Sequence, residues 1–91
     1  MPEYLVEAYV PRPAAAGGIP NLETLAGTAA ELSRGGTPVR LLAAILVPSD
    51  ETCFLHFAGP SDDAVRDVAA RSGLQVERVV AAVPELRDVV L

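Results

Sequence analysis

The sequence predicts an α+β domain with its elements in the order βαββαβ, and two observations carry that reading. Four strand-like apolar runs alternate with two helix-like segments, with Gly and Pro at the boundaries. The strands are also apolar on both faces. Two helices cover only one face of a four-stranded sheet, so the other is expected to bury itself against a partner or a ligand.

The chain holds 91 residues, which is one domain. It is 51% hydrophobic and 21% charged, a composition that argues against disorder. Its net charge is −5, and the seven basic residues are scattered. No electrostatic footprint for a phosphate backbone is visible, so neither nucleic acid nor an anionic membrane is an expected partner. Cys53 is the single cysteine, which excludes an internal disulfide and fits a reducing compartment. The start, Met1-Pro2-Glu3-Tyr4, does not read as a signal peptide, and the longest apolar run, residues 41–47, is too short to span a bilayer. A cytoplasmic protein is the expectation.

Residues 4–10 read as strand one, with Tyr4, Val6, Ala8 and Val10 on one face and Leu5, Glu7 and Tyr9 on the other. Pro11 and Pro13 end it. Residues 12–20 read as a Pro/Ala/Gly loop, either slack or a lid. Asn21 is the expected N-cap of a helix running to about Ser33, where Leu22, Leu25, Ala29 and Leu32 form one apolar stripe before Gly35 and Gly36.

Residues 39–47 read as strand two. Strict alternation puts Val39, Leu41, Ala43, Ile45 and Val47 on one face and Arg40, Leu42, Ala44 and Leu46 on the other. Pro48-Ser49-Asp50-Glu51 is a turn into strand three, residues 53–58. After Gly59-Pro60, Ser61 caps the next helix, with Asp62 and Asp63 in its first turn and Val65, Val68 and Ala69 on its apolar stripe. Gly73 ends it, and residues 74–83 read as strand four. Glu77 and Arg78 point to opposite faces there and read as rim charges. Residues 1–83 thus form the domain and 84–91 a C-terminal tail, whose apolar end Val89-Val90-Leu91 suggests docking.

Two βαβ halves around a central hairpin fit the ferredoxin-like plan: an antiparallel sheet in the order 4-1-3-2 with both helices on one face. Leu5, Leu42, Ala44, Leu46 and Phe54 then remain uncovered. Each large apolar side chain left wet forgoes roughly 1.5–3 kcal/mol. The expected solution is a homodimer in which two sheets meet face to face around a cavity.

The polar residues on that face are the site candidates. His56, the single histidine, lies beside Phe54 and would serve as a general base, a ligand or a hydrogen-bond donor; its plainer role is a half-buried ring satisfied by a neighbour. Glu7 would orient His56 as an acid/base partner, or pair with Arg40 across the sheet or the dimer. Tyr9, with an apolar ring and a polar tip, suits a pocket wall or an interface. Arg40 would bind an anion or neutralise Glu7. Phe54 and Leu42 would line the pocket. Cys53 and His56 have a C-x-x-H spacing, but on a strand an offset of three sends them to opposite faces, so no metal site is expected from that pair. No phosphate loop, nucleophile elbow or metalloprotease helix occurs. Tyr9 and Phe54 sit where RNA-recognition modules carry aromatics, yet the basic aromatic motif of those modules is missing.

Three stretches together carry a resemblance: Glu3-Tyr4-Leu5-Val6-Glu7-Ala8-Tyr9; Arg40-Leu41-Leu42 through Asp50-Glu51-Thr52-Cys53-Phe54; and Gly73-Leu74 to Glu77-Arg78-Val79-Val80. They resemble a bacterial domain-of-unknown-function family that includes small nickel-binding, nickel-responsive proteins. The resemblance spans about residues 3–83 and implies a ferredoxin-like fold and a dimeric α/β barrel. Metal sites in such proteins rely on histidines, and this chain offers His56 alone, so a metal ion is a minor expectation and no other cofactor is expected. Dimeric α/β barrels also include cofactor-free monooxygenases, isomerases and cyclases, in which a histidine, a tyrosine or an acid acts beside the sheet. The leading expectation is a dimeric binding or accessory protein with a small, mostly apolar pocket. The alternative is such an enzyme with His56 as base and Glu7 orienting it, and a purely structural dimer is the third reading.

Overall fold

The computed structural model describes residues 1–19 and 22–86. Its elements are β1 (Glu3–Tyr9), α1 (Arg12–Ala15), α2 (Leu22–Arg34), β2 (Arg40–Val47), a 3-10 turn (Pro48–Asp50), β3 (Thr52–Ala58), α3 (Asp62–Arg71) and β4 (Gln75–Ala82). The sheet is antiparallel throughout in the order β2-β3-β1-β4, the expected order read from the other edge. The ferredoxin-like arrangement is therefore present, with β1 and β3 central.

α2 and α3 lie over one face. Leu25 and Ala29 of α2 and Val65, Val68 and Ala69 of α3 join Val6, Ala8, Cys53, Leu55 and Phe57 of the central strands in one buried cluster. The molecule measures 37 × 36 × 20 Å. Twenty ångströms is one helix layer over one sheet layer, so nothing in the chain described lies over the opposite face.

Local chemistry sets the boundaries. The Ser61 hydroxyl accepts the Ala64 N–H at 3.2 Å and caps α3. At the end of α2, Gly36 adopts φ +97°, and the Thr37 N–H reaches the Leu32 carbonyl at 2.9 Å, closing the helix with a left-handed residue that glycine accommodates. The Ser33 hydroxyl then bridges both backbone groups of Val39, tying this helix end to the start of β2. The expected cap at Asn21 and the tail residues Val89-Val90-Leu91 lie outside the described residues.

Two features depart from the expectation. The segment read as a loop begins with a single helical turn, α1, in which the Pro11 carbonyl accepts the N–H groups of Ala14 and Ala15. Arg12 and Pro13 open that turn, where a proline costs no hydrogen bond. The second departure is in β2. Leu41 pairs with Phe57 but Ala43 pairs with His56, so Leu42 is an extra, bulged residue. Every later side chain is thereby switched to the other face. Ala43, Ile45 and Val47 lie opposite His56, Phe54 and Thr52 on the open face, whereas Ala44 and Leu46 lie opposite Leu55 and Cys53. The expected open-face set of Leu42, Ala44 and Leu46 is corrected accordingly; Leu46 packs against the core. β4 carries a matching irregularity opposite Glu7 and Ala8, where Glu77 is extra.

Candidate functional site

The pairing registers lay out the open face row by row. Arg40, Ala58, Glu3 and Ala82 form the first row; Ala43, His56, Leu5 and Val80 the second. Ile45, Phe54, Glu7 and Arg78 form the third, and Val47, Thr52, Tyr9 and Gln75 the last. The centre is apolar: Leu5, Phe54, Val80 and Ile45, the last 60% exposed. The ionic groups sit around it.

His56 is half-buried in the second row. The partner expected for it was Glu7, but the carboxylate beside it is Glu3: His56 Nε2 lies 2.7 Å from Glu3 Oε1. Nε2 is shielded from solvent and has no partner among the described residues that meets hydrogen-bond geometry, so the pair is a close polar contact. Geometry explains the exchange of partners. Leu5 stands directly opposite His56, and Glu3 is its diagonal neighbour on the same face. Glu7 is drawn the other way, towards β4, where Arg78 Nε lies 3.7 Å from its Oε2. Arg78 is 61% exposed, so that pair adds little stability.

Tyr9 closes the face at its far end. Its hydroxyl donates to Glu51 Oε2 at 3.2 Å. The Glu51 charge, some burial and that hydrogen bond raise its phenol above the ordinary value of 10.0. Arg40 is exposed on the edge strand opposite Ala58, away from Glu7. Phe54 is half-buried in the apolar centre, and Leu42 is half-buried at the bulge. Cys53 is fully buried on the helix side, opposite in direction to His56, and burial pushes its thiol above the ordinary value of 9.0 against the opposing effect of a backbone hydrogen bond from Ala8. Among the described residues no three ligating side chains gather as a metal centre.

Glu51 is a residue that sequence reasoning passed over. It follows the 3-10 turn with φ +51° and ψ +40°, a left-handed conformation that costs a non-glycine residue about 1–2 kcal/mol. Hydrogen bonds hold it there. Its N–H donates to the Pro48 carbonyl at 3.1 Å, and its carbonyl accepts the Val10 N–H at 2.8 Å. Its carboxylate accepts both the Tyr9 hydroxyl and the Arg12 N–H, the latter at 3.1 Å. Arg12 Nη2 reaches the Ser49 carbonyl at 3.3 Å. Between α1 and the 3-10 turn lies an open cleft of about 560 Å³, lined by Arg12, Ala15, Ala16, Pro48 and Ser49. The signal for Glu51 was the Pro-Ser-Asp-Glu turn itself, which lacks a glycine where the left-handed residue falls.

No family model matches the chain, and no curated protein does. Among solved structures, SCO4226 from Streptomyces coelicolor A3(2) is similar, with a TM-score of 0.61 over 94% of this chain and 99% of that chain. The two are 16% identical, so what they share is the fold: a small ferredoxin-like α+β domain.

Proposed function

We propose that this chain is a binding or accessory protein that works as a homodimer joined through its open sheet faces, with a small, mostly apolar ligand held between them. The observation that carries this is the charge pattern of the open face. Its two carboxylates, Glu3 and Glu7, are balanced by the guanidiniums of Arg40 and Arg78, around a centre of Leu5, Phe54, Ile45 and Val80. The chain as a whole carries −5, so the entire excess lies elsewhere. Between two copies that are each net negative, this neutral, apolar surface is one across which they can meet without net repulsion. Burying it removes exposed hydrocarbon from water at about 25 cal/mol per Å². His56, Tyr9 and Arg40 supply polar contacts at the margins of the pocket.

Native mass spectrometry of protein purified from its own cells tests the reading. A dimer carrying a retained small molecule is the expected result, and Ile45→Glu is expected to give monomers. A wild-type monomer at high concentration, with nothing bound, refutes it.

A second reading is a cofactor-free isomerase, cyclase or monooxygenase with His56 as base. The Glu3 carboxylate favours it, because it stands beside Nε2, and a proton held there between them would leave Nδ1 as the basic nitrogen. Under this reading Glu3→Gln lowers turnover and shifts its pH profile, while Glu7→Gln does neither. The nickel reading that comes with the family resemblance would draw its donors from His56 and Glu3 of two copies. The absence of any thermal shift on adding nickel, zinc or copper removes it.

A further inference from the structure

The cleft between α1 and the 3-10 turn is separate from the open sheet face and has its own cation. We propose that it is a second binding site, for a small monocarboxylate with a short hydrocarbon body. It is a cleft open to solvent, with Ala15 buried at its floor and the other lining residues exposed, and its volume of about 560 Å³ has room for a small ligand. Ala15, Ala16 and Pro48 offer apolar walls without bulky side chains. Arg12 and Ser49 both line it, and the guanidinium joins the two walls through its bond to the Ser49 carbonyl. That bond uses one of five N–H donors, leaving the fork able to grip a planar carboxylate.

The wall is held in place rather than left to drift. The Glu51 carboxylate fixes the Arg12 backbone N–H and the Tyr9 hydroxyl at once, and Glu51 keeps a left-handed conformation to do so. Strain held by several bonds beside a cavity is the kind of outlier that points to a site. The same turn sets the charge of the ligand. Among the described residues, Arg12 is the one cation lining the cleft, and Asp50 and Glu51 carry carboxylates in the turn beside it, so within a chain of net charge −5 a single negative charge is tolerated better than a phosphate dianion. The proposal does not require the dimer: none of the five lining residues belongs to the open face, although Glu51, which braces the cleft, also bonds Tyr9 of that face.

The test is an amide-resonance titration of the full chain with hexanoate, with 1-hexanol as the uncharged control. Hexanoate is expected to give saturable shifts at the amides of Ala14, Ala15, Ala16, Ser49 and Glu51. Hexanol is expected to bind at least about tenfold more weakly, the loss of a charge-assisted bidentate contact. Arg12→Gln is expected to weaken hexanoate binding by a similar factor. Since Arg12→Gln also removes the tie to Ser49, Ala16→Phe serves as the second variant: it fills the cleft from an exposed position, leaves Arg12 in place and is expected to abolish the shifts. The proposal is overturned by hexanoate shifts confined to Leu5, Phe54 and their neighbours, by equal binding of hexanol, by undiminished binding in both variants, or by no saturable shift at all.

Discussion

Tyr9 and Cys53 have pKa values raised above their ordinary 10.0 and 9.0, the first chiefly by the charge of Glu51 and the second by burial. An acid whose folded pKa lies above its unfolded value stabilises the fold fully below the unfolded value, and that contribution is lost as pH rises towards the folded one. Stability is therefore expected to fall above about pH 9 through Cys53 and again above about pH 10 through Tyr9. Thermal melts across that window should show a shallower decline for Tyr9→Phe than for wild type; parallel curves would remove Tyr9 from the account. At this scale the sequence was legible only in part. His56, Glu7, Tyr9 and Arg40 do share the open face, because period-two alternation fixes the face of each. Glu3 lies one residue before the start that the alternation predicts for strand one, and strand ends are where pattern reading is weakest. The choice between Glu3 and Glu7 as the neighbour of His56 depends on a diagonal contact and on Arg78, two strands from His56, which no local pattern encodes.

At the scale of elements, four strands and two long helices were readable from periodicity, caps and glycine stops. The bulge at Leu42 was not. Register is marked by polar residues on one face, and residues 41–47 carry none, so a one-residue slip leaves no trace in the pattern. The turn α1 was equally silent, being too short to repeat an apolar period. The bulge yields a prediction of its own. Without Leu42 the alternation from Arg40 and Leu41 to Ala43 becomes regular, and every later residue keeps its face. Deleting Leu42 should therefore preserve the fold, whereas deleting Ile45 would turn Leu46 out of the core. Hydrogen-exchange protection in β3 reads the difference: retained in the first deletion, lost in the second. Equal loss in both would mean that the extra residue is not Leu42.

For the molecule as a whole, the two-sided apolarity of the strands was the most telling property of the chain, and the structure leaves that second face uncovered by any described residue. The proposed covering by a second copy, if it occurs, should make the melting temperature rise with protein concentration, since mass action stabilises whatever associates only when folded. Ile45→Glu should remove that dependence without unfolding the chain, because Ile45 is 60% exposed and lies outside the buried cluster. A concentration-independent melt in the wild type would argue against association altogether.

The paired irregularities of the outer strands have a consequence for how far such association can go. Leu42 interrupts the ladder on one margin of the sheet and Glu77 on the other. A margin interrupted in this way is a poor template for a further strand. Lateral addition is thus discouraged on both sides, while stacking consumes the open surface in a single step. If two copies do pair as proposed, assembly should halt at a closed pair rather than grow into ribbons.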